Sequence, residues 1–259
     1  MGGGAGVAAV DVGFVGHATV RLDIAGMVIL TDPFLRSRLG PLERHGPLPD
    51  ALADLDVDLV LISHGHRDHF DPRSLASIRG APTVVVPTGL GTRARQVVRG
   101  DVIEVAAGDR RSIGGVTVEA VPAAHWISPG APRAQPVGYV VDAGPRIYFA
   151  GDTGPFAGLD RVLAGIDVAF LPVWTWGPHR GPGHLGPKSA AQALAAAGQT
   201  VAIPIHWGTL YPQRLHRVWS GPLHEPGDRF ADHARRLAPE TTVRVLRPGE
   251  ATIVTVQRS

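Results

Sequence analysis

His64-Gly-His66-Arg-Asp68-His69 puts four potential metal ligands into six residues, directly after the apolar run Leu59-Val-Leu-Ile-Ser63. Imidazole and carboxylate donors suit zinc, manganese or iron, and crowding them together is costly unless a cation offsets their desolvation and repulsion. The spacing therefore predicts a metal site at the end of a buried strand. Three further polar residues follow apolar stretches in the same way. His125 comes after Val118–Ala124, Asp152 after Ile147–Gly151 and His206 after Val201–Ile205. Each alone would pass as a turn former, but together they point to donors converging on one edge of a scaffold.

The elements that must carry these residues can be read from breakers and periodicity. Val12–Val15, Thr19–Ile24 and Met27–Thr31 are expected as short strands of an opening meander, because β-branched and apolar residues cluster between Gly-containing turns. Further strands are expected at Asp58–Ser63, Thr83–Val86, Val102–Val105, Ile113 with Val116–Val121, and Val137–Val141. Arg146–Ala150, Val168–Pro172, Val201–Ile205, Val243–Leu246 and Thr252–Val256 complete the set. Helices are expected at Pro49–Leu55, Pro72–Ile78, Leu159–Ala164, Pro187–Ala197 and Asp228–Leu237. The helix from Pro187 has Pro at its start, an Ala-rich body and Gly198 as a stop. Two packed sheets with helices outside would accommodate this order.

Composition limits the alternatives. The chain has 259 residues, 44% of them hydrophobic and 19% charged, with no Cys, so a metal site must be built from His and carboxylates. A single domain over residues 1–259 is expected, with residues 1–10 flexible. Against 23 Asp and Glu stand only 25 Lys and Arg, and no basic run argues for nucleic acid. No stretch approaches a membrane span and the first residues lack signal-peptide character, so a cytoplasmic protein is expected.

In kind and order, His64-x-His66-x-Asp68-His69, His125, Asp152 and His206, with Asp32 in Leu30-Thr-Asp-Pro33, resemble the metallo-β-lactamase fold superfamily of metal-dependent hydrolases. The resemblance runs from about Gly16 to His206 and implies an α/β fold, a four-layer αββα sandwich of two mixed sheets flanked by helices. It implies two divalent ions, zinc first and manganese or iron as alternatives. His64, His66 and His125 would hold one, Asp68, His69 and His206 the other, and Asp152 would bridge them. Asp32 and His17 would stand behind the ligands and orient them. Two cations about 3.5–4 Å apart can lower the pKa of a shared water and present it to an ester, lactone or phosphodiester. Asp68 would orient that nucleophile as a catalytic residue.

Gly16-His-Ala-Thr19, Phe149-Ala-Gly-Asp-Thr-Gly154 and Ile205-His-Trp-Gly-Thr209 further resemble the branch containing N-acyl-phosphatidylethanolamine phospholipase D and ascorbate-6-phosphate lactonase. That branch implies phosphodiesterase or lactonase activity on a small-molecule or lipid-like substrate, with His184 in Gly183-His-Leu-Gly-Pro187 as a second catalytic residue, touching phosphate or leaving group. Lys188 departs from the acidic residues common there. Trp174 and Trp176, in a Gly/Pro-rich loop, either wall the substrate site or pack as a local core under the loop, and Trp126 in a second loop is expected at the rim; Arg133 there is a solvated side chain or, failing that, an anion contact. A mononuclear iron persulfide dioxygenase and a nuclease of the superfamily are the competing activities. His45, His179, His216, His224 and His233 match no motif and default to surface or capping roles.

Overall fold

The computed structural model describes residues 7–48, 52, 54–128, 130–174, 183–195 and 197–257. The opening meander consists of β1 (Val7–Gly16), β2 (Thr19–Ile24) and β3 (Met27–Thr31). β2 and β3 are joined by Ala25-Gly26, with φ of 53° and 73°, the double positive φ of a tight hairpin turn. A second hairpin, β4 (Arg38–Leu39) and β5 (Leu42–Arg44), follows. Next in order are β6 (Leu59–Leu61), α1 (Pro72–Ser77), β7 (Thr83–Pro87), α2 (Gly91–Arg95) and β8 (Val102–Val105). The second half runs β9 (Arg110–Ile113), β10 (Val116–Pro122), β11 (Val137–Asp142), β12 (Arg146–Phe149), α3 (Leu159–Leu163), β13 (Val168–Pro172), α4 (Pro187–Leu194) and β14 (Val201–Ile205). It closes with β15 (Leu210–Pro212), a 3-10 turn at Leu215–Arg217, α5 (Gly221–His224), α6 (Pro226–Leu237), β16 (Thr242–Val243) and β17 (Ala251–Gln257).

Two seven-stranded mixed sheets result, in the orders β17-β1-β2-β3-β6-β7-β8 and β16-β14-β13-β12-β11-β10-β9. β5 pairs with β4 and β15 in a small third sheet that the sequence reading did not foresee. Alternation along the strands explains the layering. Leu59, Leu61 and Val85 face the core between the sheets, whereas Val60, Ile62, Val84 and Val86 enter a second cluster with Leu75 of α1 and Ala94 of α2. A strand buried on both faces must be apolar throughout, as Leu59–Leu61 of β6 and the fully buried 84–86 stretch of β7 are. On the far side Ala190, Ala191 and Leu194 of α4 and Phe230 and Ala234 of α6 cover the second sheet. The order is helix, sheet, sheet, helix.

Differences from expectation have local causes. Val7–Val10, expected to be flexible, pair with Gln257–Val254 at the start of β1, and Val10 is fully buried; residues 1–6 lie outside the described residues. The strand expected over Val243–Leu246 shrinks to β16. The Val201 N–H bonds to Asp167 O on the β13 side, so the N–H at position 204 would face β16, and Pro204 has none to offer. α4 ends at Leu194, short of Gly198. The helix expected over Pro49–Leu55 falls largely outside the described residues.

Candidate metal centre

Asp32 follows β3, His64–His69 follow β6, His125 follows β10, Asp152 follows β12 and His206 follows β14. β3 runs parallel to β6, β12 runs parallel to β13 and β14, and β10 is two antiparallel steps from β12. All five strands therefore deliver their C-terminal ends to one edge, where open α/β sheets bind ligands. His17, Asp32 and His206 have positive φ of 58°, 34° and 62°, an uncommon and strained state for non-glycine residues. The surrounding bonds hold it: His206 N donates to His17 O at 2.6 Å and His17 N to Thr209 Oγ1 at 2.7 Å. Gly151, before Asp152, has φ 57°, and a Cβ there would stand 2.4 Å from Ser63 Cβ, so only glycine admits this approach.

Hydrogen bonds on the far ring nitrogens aim the near ones. His64 Nδ1 lies 3.0 Å from Ser63 Oγ, which itself donates to Asp32 Oδ2 at 2.5 Å. His64 Nδ1 is thus the donor and Nε2 keeps its lone pair. His125 Nδ1 donates to Gly183 O at 3.0 Å, freeing Nε2 likewise. His64 Nε2 and His125 Nε2 stand 2.9 and 3.0 Å from His66 Nδ1. On the other side His66 Nε2 meets Ser128 Oγ at 2.6 Å and the Ser128 N–H at 3.1 Å. That N–H donates to Nε2, and the Ser128 hydroxyl beside it can either donate to this nitrogen or accept from it.

The second donor group is built in the same way. His69 Nδ1 donates to Asp32 Oδ2 at 2.7 Å and His206 Nδ1 to Trp174 O at 2.9 Å. Their Nε2 atoms are 3.3 Å apart. Asp68 Oδ2 lies 3.6 Å from His69 Nε2 and 4.0 Å from His206 Nε2, and accepts from His17 Nε2 at 3.0 Å. Asp152 stands between the two groups. Its Oδ2 is 3.4 Å from His69 Nε2 and 3.8 Å from His125 Nε2, and its Oδ1 is 3.1 Å from His206 Nε2. Imidazole lone pairs facing buried carboxylate oxygens repel unless a cation or proton lies between them, so these residues fit a metal.

The electrostatics carry the same demand. Burial alone would depress His69, yet Asp152, Asp68 and Asp32 hold its imidazole well above the ordinary value. Burial opposes ionisation of Asp152, but His206 and His69 outweigh it and keep the carboxyl well below the usual range; at Asp68, His69 and His17 do so. Burial raises the Asp32 carboxyl, against the pull of His69 and Ser63. Burial pushes His64 well below its ordinary value, with His69 adding to it, and His17 down to about 3. A site that traps a proton among three carboxylates offers a place for a stronger cation.

A cavity of about 1230 Å³ opens over these residues, and His66, Asp68, His125, Asp152, His184 and Trp126 reach it. His184 Nδ1, buried and without a hydrogen-bond partner among the described residues, lies 3.7 Å from Asp152 Oδ2, and burial pushes the imidazole down to about 4. Trp126 is 58% exposed in the cavity wall. Trp174 does not line it; the ring packs on the core and 5.9 Å from that of Tyr211. Trp176 and His179 lie outside the described residues. Arg133 is absent from the wall, whereas Arg36, Arg67, Arg73 and Arg93 contribute to it. Of these the sequence could have offered only Arg67, by its place inside the ligand motif. Ser63 and Ser128 were also missed, since a serine that sets a histidine tautomer carries no spacing signal.

A family model described as a β-lactamase superfamily domain matches residues 28–207. A UPF0173 metal-dependent hydrolase of Thermus thermophilus is 33% identical over 93% of this chain and 97% of its own length. One from Methanopyrus kandleri is 31% identical over 92% and 97%. Among solved structures, a metallo hydrolase of the archaeon Ignicoccus hospitalis shares the fold with a TM-score of 0.73 at 23% identity, covering 95% of this chain and 98% of that one. From strand order, donor edge and these likenesses, the chain belongs to the metallo-β-lactamase superfamily and, within it, to the UPF0173 metal-dependent hydrolase family.

Proposed function

We propose that the protein is a two-metal hydrolase acting on an anionic substrate, a phosphodiester first and a lactone or carboxylic ester second, as in the phospholipase D and lactonase branch it resembles. The observation that carries this is Asp152 Oδ2, within 4 Å of one imidazole nitrogen from each donor group. His64, His66 and His125 would hold one ion and Asp68, His69 and His206 the other, zinc being the first choice for such donors and manganese or iron also suited. When bound, such a pair supplies a water of lowered pKa and positive charge opposite the developing anion.

The chain's own residues supply the rest. His17 Nε2 donates to Asp68 Oδ2 and fixes the carboxylate that would orient the attacking water. His184, whose Nδ1 has no hydrogen-bond partner among the described residues and lies beside Asp152, would hydrogen-bond the leaving group. Arg67, Arg73 and Arg93 are exposed in the cavity wall and have neither hydrogen bond nor ion pair among the described residues. Arg36 is paired with Asp71 at 3.1 Å. In a chain with near-balanced charge, three unpaired guanidinium groups beside a metal centre favour a phosphate or carboxylate. Trp126 would cover an apolar part of the same molecule.

The test is turnover by chelator-stripped protein reloaded with zinc, manganese or iron. Bis(p-nitrophenyl) phosphate, a glycerophosphodiester, a γ-lactone and p-nitrophenyl acetate would be compared, with oxygen uptake on a thiol persulfide followed in parallel. Metal-dependent cleavage of a phosphodiester, reduced about 100-fold or more in His184→Ala, is expected. Reloaded protein that cleaves none of these, or that consumes oxygen with a thiol persulfide, would overturn the reading.

A further inference from the structure

Glu43 and His45 are two apart at β5, so both side chains leave the same face of the small sheet. His216 reaches that face from the 3-10 turn after β15. Glu43 Oε1 lies 3.5 Å from His45 Nε2 and 3.3 Å from His216 Nδ1, and the three donor atoms fall within 4.8 Å of one another. Both nitrogens are shut off from solvent and make no hydrogen bond among the described residues. Glu43 has no Lys or Arg partner among the described residues.

We propose that Glu43, His45 and His216 bind a divalent transition metal of the zinc class outside the catalytic cleft, clipping β5 to the turn that follows β15. Nitrogens buried against a carboxylate without bonding to it are costly. Ligand bonds of 2.0–2.2 Å in tetrahedral geometry set donor atoms about 3.3–3.6 Å apart, which brackets the 3.5 and 3.3 Å from Glu43 Oε1 to the two nitrogens. Two imidazoles and one carboxylate leave a position for water. The residues are half-buried. His224, whose charge also bears on His45, ends the neighbouring α5.

The clip would act on the frame behind the catalytic edge. Arg44, between the two β5 ligands, donates to Val15 O, Arg36 O and Phe34 O. The His45 N–H bonds to Thr209 O at 2.6 Å, and Thr209 Oγ1 accepts from His17 N. Joining residues 43–45 to 216 also closes a loop spanning most of the chain, where a cross-link restricts the unfolded state most.

The experiment equilibrates the full chain with zinc, desalts it and measures bound metal per chain by mass spectrometry for wild type, His216→Ala and the near-isosteric Glu43→Gln. Each variant should lose one ion per chain and the part of the zinc-induced rise in Tm that this ion provides. In excess chelator all three should melt together, which separates metal loss from misfolding. Equal metal content and affinity in wild type and Glu43→Gln would overturn the proposal. It would leave the catalytic reading untouched, because the cleft ligands are unaltered in every protein compared.

Discussion

Asp32 Oδ2 lies 2.7 Å from His69 Nδ1, and neither atom is exposed to solvent. The same carboxylate accepts from Ser63 N at 2.7 Å and Ser63 Oγ at 2.5 Å, so three donors converge on two oxygens. Asp32→Asn keeps the shape and tolerates the positive φ, but an amide NH2 in place of Oδ2 would face two donors. To relieve this, His69 would take the tautomer with its proton on Nε2, where the lone pair is needed. Zinc affinity should fall about 10–100-fold, as read by competition with a chromophoric chelator. Unchanged affinity would remove Asp32 from the ligand-orienting role.

Metal removal should cost stability beyond its cost in activity. Buried carboxylates at Asp32, Asp68 and Asp152 surround His69, and a bound ion neutralises them only in the folded chain. At a free zinc concentration 100 times the dissociation constant the gain is about 2.7 kcal/mol for one site. Tm should therefore climb with the logarithm of free zinc in buffered solutions. A Tm independent of zinc would mean that the site binds no ion in the folded state.

How much of this was legible follows from where each residue sits in the chain. The donor set could be read because one motif supplies four candidate donors and the others each end an apolar strand. The arginine wall could not, because Arg36 follows β3, Arg73 begins α1 and Arg93 lies in α2, and only the fold gathers them. α2 was missed for a different reason. Gly91-Thr-Arg-Ala-Arg95 holds one apolar side chain, Ala94, which sets no period, and its start is held by Glu104 on β8. β4, β5 and β15 are two or three residues long and half polar, too short for a period-two pattern to register.

The unpaired arginines predict a salt-sensitive KM. Arg67→Ala and Arg93→Ala should each raise KM for a phosphodiester about fivefold with little change in Tm, since exposed charge contacts are worth roughly 1 kcal/mol and carry no core packing. Raising salt from 50 to 500 mM, roughly a threefold shortening of the screening length, should weaken wild type more than the double variant. A neutral ester should show neither effect. Equal losses on charged and neutral substrates would assign these residues to cavity shape instead.

Glu104 gives a pH dependence that needs no metal. The N–H groups of Gly89 and Gly91 donate to its Oε1 at 2.8 and 3.1 Å; with Arg95 adding to them against slight burial, they hold the carboxyl below its usual range. A depressed folded value means the carboxylate stabilises the fold fully above the unfolded value of 4.5 and progressively less as pH falls through the lower folded one. Glu104→Ala should thus be less stable than wild type at neutral pH, and the gap should close below that range when both are unfolded by urea in excess chelator. The partly exposed side chain keeps the effect small. Amide exchange at Gly89 and Gly91 should quicken in the variant relative to wild type at neutral pH, because these groups enter α2, which carries Arg93 into the cavity wall. A gap in stability that stayed constant with pH would show that Glu104 acts through packing rather than charge.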